Sequence, residues 1–278
     1  MKIAYCGYDF FHACLHELIA NEFEIGRVFT VDCDNQYNFN QYIYKICDQH
    51  NIPVTDKPIT KDDVEQLKVE GFDLLISAAY YYKIPGLSAY GINGINIHPT
   101  LLPLGRGVWP LPWTILTDQQ SSGVSIHKLS PEFDAGDILT QESFPLTAYE
   151  NLESLSAKVQ LLGKRLLIEV VKDFDRYWNN AHAQPANAAY WPRPKKEHRT
   201  LDWNKSVTEL DRICRAFGKF GCFATFDNKK WIVYSINAWR ENHHYRVGEV
   251  IHKTNTEMIV AASDGLVSLL YFQQKKQD

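Results

Sequence analysis

Along the first half of the chain, apolar residues come in short unbroken runs separated by segments of helical period. "KIAYCG", "EIGRVFTV", "FDLLISAAY" and "INGINIH" read as buried strands, and "IPVT" as a shorter extended piece. Between them, "FFHACLHELIANEF" sets Phe11, Leu15, Leu18 and Ile19 on one helix face, and "FNQYIYKICDQHN" is helix-like. "TKDDVEQLKVEG" opens with a threonine and an acidic first turn, which are helix start signals. Strands alternating with helices predict an α/β fold, a Rossmann-like and mostly parallel sheet with helices on both faces.

"SSGVSIHKLSP" and "DILTQESFPLT" continue as strands, joined by the turn-forming "EFDAG". Thr147 and Glu150 have capping-box spacing. Behind them Leu152, Leu155, Val159, Leu162, Leu166 and Val170 recur at steps of three and four, predicting one amphipathic helix to about Trp178. The pattern then changes. "NNAHAQPANAAYWPRPKKEHRT" has three prolines and little periodicity, as a linker or wrapping arm would. After it, "SVTELDRICRAFG" reads as a helix. "CFATFD", "KWIVYSINAW", "YRVGEVIHKT", "EMIVAASDG" and "LVSLLYF" then alternate strands with turns, a barrel-like β-rich end. The expected organisation is a catalytic α/β domain over residues 1–180, an arm over 181–200 and a small β-rich domain over 201–278.

Composition narrows the function classes. A hydrophobic share of 45% and a charged share of 22% are ordinary for a globular chain with a buried core. The net charge of −4 gives no overall pull toward nucleic acid. Six cysteines stand at 6, 14, 33, 47, 214 and 222, with no CxxC and no metal-like spacing to histidine, so reduced thiols in a cytoplasmic protein and no metal are expected. "MKIAYCGYDF" enters a strand at once and lacks the features of a signal peptide. "RLLIEVV" and "DLLISAAY" are too short to span a bilayer, so no membrane partner is expected.

Several familiar chemistries lack their motifs. The first strand is followed by "YCGYDFFH", with Gly7 alone in place of a G-x-G-x-x-G. A P-loop and a G-x-S-x-G elbow are also missing from the sequence. What stands out is Asn96 and His98, two apart at a strand end and so on one side of the sheet, at the edge where such sheets bind ligands. Asp134 in "FDAGDIL" is the best-placed acid, beside Gly136, which would let the backbone approach a ligand closely. A histidine takes a proton from an attacking amine. An aspartate orients the ring. An asparagine N–H steadies an oxyanion. Acyl transfer to an amine needs those three roles. His127 and His243-His244 have no partner spacing and read as ordinary histidines.

"INIHPTLLP" followed by "DAGDIL" resembles the Asn-x-His and Asp-x-Gly motifs of the folate-dependent formyltransferases. The likeness covers residues 1–178 and extends more loosely through "RTLDW" and "ELDRICRAFG" into the β-rich end. It implies Asn96, His98 and Asp134 as the catalytic set and N10-formyltetrahydrofolate as the donor. It also implies Ala79, Tyr80, Tyr81, Ile84, Phe133, Ala135, Gly136 and Asp137 as residues facing that co-substrate. The family's methionyl-tRNA members carry a basic insertion after the second strand. Here "TVDCDNQYNFNQYIYK" has two aspartates and no basic residue before Lys45, which speaks against a nucleic-acid partner.

The chain is more similar to bacterial nucleotide-sugar N-formyltransferases. That implies an acceptor such as dTDP-3-amino-3,6-dideoxyhexose (dTDP-Fuc3N or dTDP-Qui3N) for O-antigen or other surface glycan. A dTDP-4-amino-4,6-dideoxyhexose, UDP-4-amino-arabinose or methionyl-tRNA are the alternatives. Arg106, between Gly105 and Gly107, is expected to reach a pyrophosphate. Trp109 and Tyr190 offer flat surfaces for a base or sugar, and Arg193 a further phosphate contact. The aromatic β-rich tail resembles dimer-forming tails, implying a homodimer.

Overall fold

The computed structural model describes residues 1–185, 188 and 190–275. It divides into two compact units, neither of them one continuous piece of sequence. One holds residues 1–108, 121–144 and 157–191; the other holds 109–120, 145–156 and the chain from 192 onward.

The first unit is built on seven strands: β1 (Lys2–Gly7), β2 (Glu24–Phe29), β3 (Val54–Thr55), β4 (Leu74–Ala78), β5 (Asn93–His98), β6 (Ser121–Lys128) and β7 (Ile138–Pro145). Its helices include α1 (His12–Ala20), α2 (Gln41–Gln49) and α3 (Lys61–Val69). The strand order is β3-β2-β1-β4-β5-β6-β7. The first five strands pair in parallel and β6 runs antiparallel to β5. The expected Rossmann-like sheet is thus present, with the order reversing between β1 and β4, where such sheets open a crevice.

Local signals set the helices. Thr60 Oγ1 accepts from the Asp63 N–H while the Asp63 carboxylate accepts from the Thr60 N–H, closing the N-terminus of α3. Val64 and Leu67 of α3 then pack with Ala4, Cys6, Phe29 and Leu75 of the sheet. The opposite face is covered by the long helix α5 (Leu152–Lys172), whose Gly163 lets it approach closely. A Cβ there would stand 3.1 Å from the Phe11 ring and 3.4 Å from Ile97. Leu75 is in register with Gly94, which shares its face with Asn96, whereas Ile97 points the other way. The face under α3 is therefore the one that bears Asn96 and His98.

Two helix expectations change. The helix drawn to Trp178 breaks at Asp173, whose φ of −131° is not helical, and a short α6 (Phe174–Asn179) follows. The capping box is not Thr147 with Glu150. Only half of that box forms: the Thr147 N–H reaches Glu150 Oε2 (3.4 Å), while the Glu150 N–H goes to the Thr147 carbonyl, and the other oxygen of buried Glu150 takes the Ser154 hydroxyl. The reciprocal cap is made by Asn151 Oδ1 on the Ser154 N–H (2.9 Å) and Ser154 Oγ on the Asn151 N–H (3.1 Å).

The second unit holds α4 (Pro110–Leu116), β8 (Thr200–Leu201), α7 (Val207–Phe217), β9 (Cys222–Phe226), β10 (Lys229–Arg240), β11 (Val250–Lys253), β12 (Met258–Ala261) and β13 (Gly265–Gln274). Its six strands pair in the order β11-β12-β13-β10-β9-β8. Among the described residues no pairing joins β11 to β8 at the two ends of this order, so the barrel-like closure that was expected is not seen there. Ser206 and Glu209 cap α7, which buries Leu210, Ile213 and Phe217. All six cysteines are buried and free. Among the described residues no helix is long and apolar enough to cross a membrane.

Candidate active site

The C-terminal end of β5 delivers Asn96 and His98 to one side of the sheet. In register with Asn96 lie Ser77 on β4 and His127 on β6, so these side chains form a row across three strands. The loop after His98 is pinned from below. Ser125 Oγ donates to the Thr100 carbonyl (2.6 Å) and accepts from the Leu102 N–H (2.9 Å), and Gln141 Nε2 donates to the Leu102 carbonyl (2.6 Å). So held, the loop brings the Gly105 carbonyl within 2.8 Å of His98 Nε2.

Asp134 arrives from the turn between β6 and β7. Its φ of 56° is left-handed, a conformation that aspartate tolerates better than most residues. The turn is tight. A Cβ on Gly136 would stand 1.9 Å from the Lys128 carbonyl oxygen, so this position takes only glycine. Asp134 Oδ2 accepts from the Gly107 N–H (2.9 Å). Its Oδ1 lies 3.3 Å from His98 Nδ1, 3.4 Å from Asn96 Nδ2 and 3.6 Å from His127 Nε2. The sequence-derived trio therefore meets at one carboxylate oxygen.

The hydrogen bonds fix where protons sit. A carbonyl only accepts, so His98 Nε2 carries a proton for Gly105. The contact of its Nδ1 with Asp134 is then attractive only when a proton also lies between Nδ1 and Oδ1. Burial alone would raise the Asp134 carboxyl. The charge of His98 and its hydrogen bond outweigh it and hold the group well below the usual carboxylate range.

His127 was read as an ordinary histidine and is instead part of the cluster. Its Nδ1 donates to the Lys128 carbonyl (2.8 Å), leaving Nε2 to accept from Asn96 Nδ2 at 3.0 Å. Of the two Asn96 N–H groups, one is thus firmly held and the other reaches only the longer contact with Asp134. The signal was in the alternation of "GVSIHK", which places Ser125 and His127 on one face, but only the register with β5 shows which face.

A cavity of about 830 Å³ opens beside this cluster, and Ser77, Asn96, His127 and Asp134 form part of its wall. Of the residues expected to face a co-substrate, Tyr80, Ile84 and Phe133 line it. Ala79, Tyr81, Ala135, Gly136 and Asp137 are not part of its wall. Tyr81 turns away to donate to the Asp32 carbonyl (2.7 Å), and Asp137 pairs with Lys128 at 3.4 Å. Tyr82 and Trp178, not anticipated, do line the cavity.

The residues expected at the acceptor are placed differently from one another. Gly105 and Gly107 leave room for Trp191: a Cβ at Gly105 would strike its ring, and one at Gly107 its carbonyl oxygen. Arg106 is buried, and its guanidinium donates to Gln184 Oε1 from Nε (3.1 Å) and Nη2 (2.8 Å). Tyr190 is exposed and its backbone bridges to Arg106. Trp109 and Arg193 belong to the second unit, where Trp109 packs edge-on to Phe217 and Phe220 and Arg193 is exposed.

Comparison with known proteins gives the arrangement a context. A family model described as formyl transferase matches residues 41–171, and one described as formyl transferase, C-terminal domain, matches residues 193–278. A methionyl-tRNA formyltransferase of Treponema denticola is 31% identical over 259 residues, covering 87% of this chain and 80% of that protein. One from Lactococcus lactis is 27% identical over 232 residues, covering 80% and 73%. Among solved structures, the fold is similar to HypX from Aquifex aeolicus (TM-score 0.71, 22% identity), where it covers 99% of this chain and 45% of that one. An N-formyltransferase from Helicobacter canadensis, in complex with folinic acid and dTDP-3-aminofucose, is similar with a TM-score of 0.69 and 18% identity, covering 99% and 100%. WlaRD, a sugar 3N-formyl transferase, gives a TM-score of 0.70 at 19% identity, covering 100% and 99%.

Proposed function

The chain belongs to the formyl transferase family, and on that footing we propose that it transfers a formyl group from N10-formyltetrahydrofolate to the amine of a nucleotide-linked amino sugar. The observation that carries this reading is the meeting of Asn96, His98 and Asp134 at one carboxylate oxygen, with Asn96 and Asp134 in the wall of a cavity large enough for a fused-ring co-substrate and His98 buried behind them. Tyr80, Tyr82, Ile84 and Phe133 supply apolar walls for such a ring system.

The chemistry follows from the geometry. The amine lone pair attacks the formyl carbon, a C–N bond forms, and the formyl oxygen takes up negative charge. The loosely held N–H of Asn96 turns toward that oxygen and steadies it. The attacking nitrogen becomes cationic while the departing N10 needs a proton. The His98–Asp134 pair, with a proton between Nδ1 and Oδ1, takes one and supplies the other, directly or through water. Collapse then breaks the C–N10 bond and releases tetrahydrofolate and the formamide.

A sugar acceptor is favoured by the segment after β2. Residues 30–40 carry Asp32 and Asp34 and no lysine or arginine, a poor surface for tracking a phosphate backbone. A 3-amino-3,6-dideoxyhexose on dTDP is the first candidate, because similar structures that span this whole chain include enzymes described with such sugars or with dTDP. Methionyl-tRNA is the second reading, favoured by the curated relatives at 25–31% identity. A homodimer in the cytoplasm, with the β-rich unit serving assembly, completes the proposal. The test is incubation with formyltetrahydrofolate and a panel of dTDP-, UDP- and GDP-amino sugars and charged initiator tRNA. One added formyl mass on a dTDP-amino sugar is expected. Formylation of the tRNA alone would replace the sugar reading.

A further inference from the structure

Gln184 lies outside every motif that marks the site, yet its side chain makes four hydrogen bonds within it. Oε1 accepts from Arg106 Nε (3.1 Å) and Nη2 (2.8 Å). Nε2 donates to the carbonyl of Asp134 (2.9 Å) and to that of Gly136 (2.7 Å). The orientation of the amide is forced, because a guanidinium only donates and a backbone carbonyl only accepts. Two acceptor sites and two donors are the full capacity of a primary amide, and all four are used. A glutamate in its place would still receive Arg106 but, ionised, would face two carbonyl oxygens with no proton to offer.

These bonds close a ring around the site. Asp134 is held at its carboxylate by the Gly107 N–H (2.9 Å) and at its carbonyl by Gln184, while Gln184 holds the side chain of Arg106, the residue preceding Gly107. The two loops that carry Asp134 and Arg106 are therefore tied at both ends. The segment bearing Gln184 is itself anchored. His182 exchanges backbone hydrogen bonds with Ile138 of β7 (2.8 and 3.0 Å), and the Trp191 N–H donates to the Arg106 carbonyl (2.7 Å). The constraint matters because Asp134 sits at a left-handed φ of 56°, and its Oδ1 must stay within reach of His98, Asn96 and His127. A turn free to relax would swing the carboxylate away from all of them together.

We propose that Gln184 is a positioning residue for Asp134, clamping the turn through the Asp134 and Gly136 carbonyls and locking that turn to Arg106. Its kinetic consequence rests on the formyl-transfer reading above; its structural consequence does not. It also gives Arg106 a task within the site's scaffold rather than on a pyrophosphate.

The test compares Gln184→Glu with Gln184→Ala, each first checked for native thermal unfolding. In both, kcat for formyl transfer falls on the order of ten- to a hundredfold, the scale of a misplaced catalytic group. KM for formyltetrahydrofolate stays within about twofold. Wild-type kcat in Gln184→Glu would overturn the proposal, since it would mean that Gln184 serves only as a partner for Arg106. A second measurement needs no turnover: carbon-13 NMR of aspartate-labelled protein, with Asp134 assigned from its loss in Asp134→Asn. In Gln184→Ala the carboxyl should titrate closer to the ordinary value of about 3.9 than it does in the wild type. An unmoved midpoint would overturn the proposal as well. Failure of the wild type to formylate any amine would instead remove the functional reading and leave the NMR result to decide the clamp.

Discussion

Asn96 Nδ2 and His127 Nε2 face each other at 3.0 Å across the paired strands β5 and β6. Because His127 donates its Nδ1 proton to the Lys128 carbonyl, its Nε2 accepts, and the Asn96 amide is held with nitrogen inward and one N–H toward the reacting side. Replacing His127 with Ala frees that amide to turn over. The expected result is a kcat lower by roughly tenfold or more, with KM for the folate donor little changed, as for a misoriented donor. Steady-state kinetics against formyltetrahydrofolate separate the two. A change confined to KM would place His127 in binding instead.

His98 has a stricter requirement. Both ring nitrogens are engaged, Nε2 with Gly105 and Nδ1 with Asp134, and the ring is buried. His98→Ala removes the proton carrier and is expected to lower turnover about a hundredfold or more, the scale of a lost acid–base group. His98→Asn retains polarity without a titrating ring and should be no better. Single-turnover assays with saturating donor check both. Near-normal turnover in His98→Asn would remove His98 from the proton pathway.

Much of this was legible in the sequence, and what was not shares a physical cause. The alternation of apolar runs and helical periods marked β1 to β7, and the i, i+2 spacing placed Asn96 and His98 on one face, because both are local properties of the backbone. Asp134 came through its motif. His127 and Gln184 were hidden because their partners are 31 and 50 residues away and depend on strand register and on the path of the arm. Arg106 was expected at a pyrophosphate because a positive charge between two glycines has a flexible backbone around it. The fold buries it by supplying an amide from a segment that carries no signal of its own. The break at Asp173 was missed because apolar spacing continues across it while the backbone does not.

Asp134 makes a pH-dependent contribution whose sign is determined by its depressed titration. A carboxyl held below its unfolded value stabilises the fold at pH above that unfolded value, about 3.9, and loses the contribution as pH falls toward the folded value. Asp134→Asn abolishes the dependence. The variant should be less stable than the wild type at neutral pH, and the gap in Tm should narrow as the pH is taken below about 4. Calorimetry of both proteins over that range measures it. A gap that stays constant with pH would mean that the His98 contact does not stabilise the ionised carboxylate.

Gly136 tests whether the shape of the Asp134 turn, separately from its chemistry, is required. A Cβ at this position would lie 1.9 Å from the Lys128 carbonyl oxygen and 2.8 Å from its carbonyl carbon. Both are backbone atoms of the strand that carries His127, and no rotation of a side chain can relieve the clash. Gly136→Ala must therefore push the turn away from β6, which also draws the Gly136 carbonyl from Gln184 and the Asp134 carboxylate from His98. The expected cost is about 1–3 kcal/mol in unfolding free energy, as for overpacking elsewhere. Turnover should fall further than that loss of folded protein explains. Urea unfolding and kinetics on the same preparation give both numbers. Full activity per folded molecule would show that the turn can shift without moving Asp134, and the carboxylate's placement would then have to come from the Gly107 N–H alone.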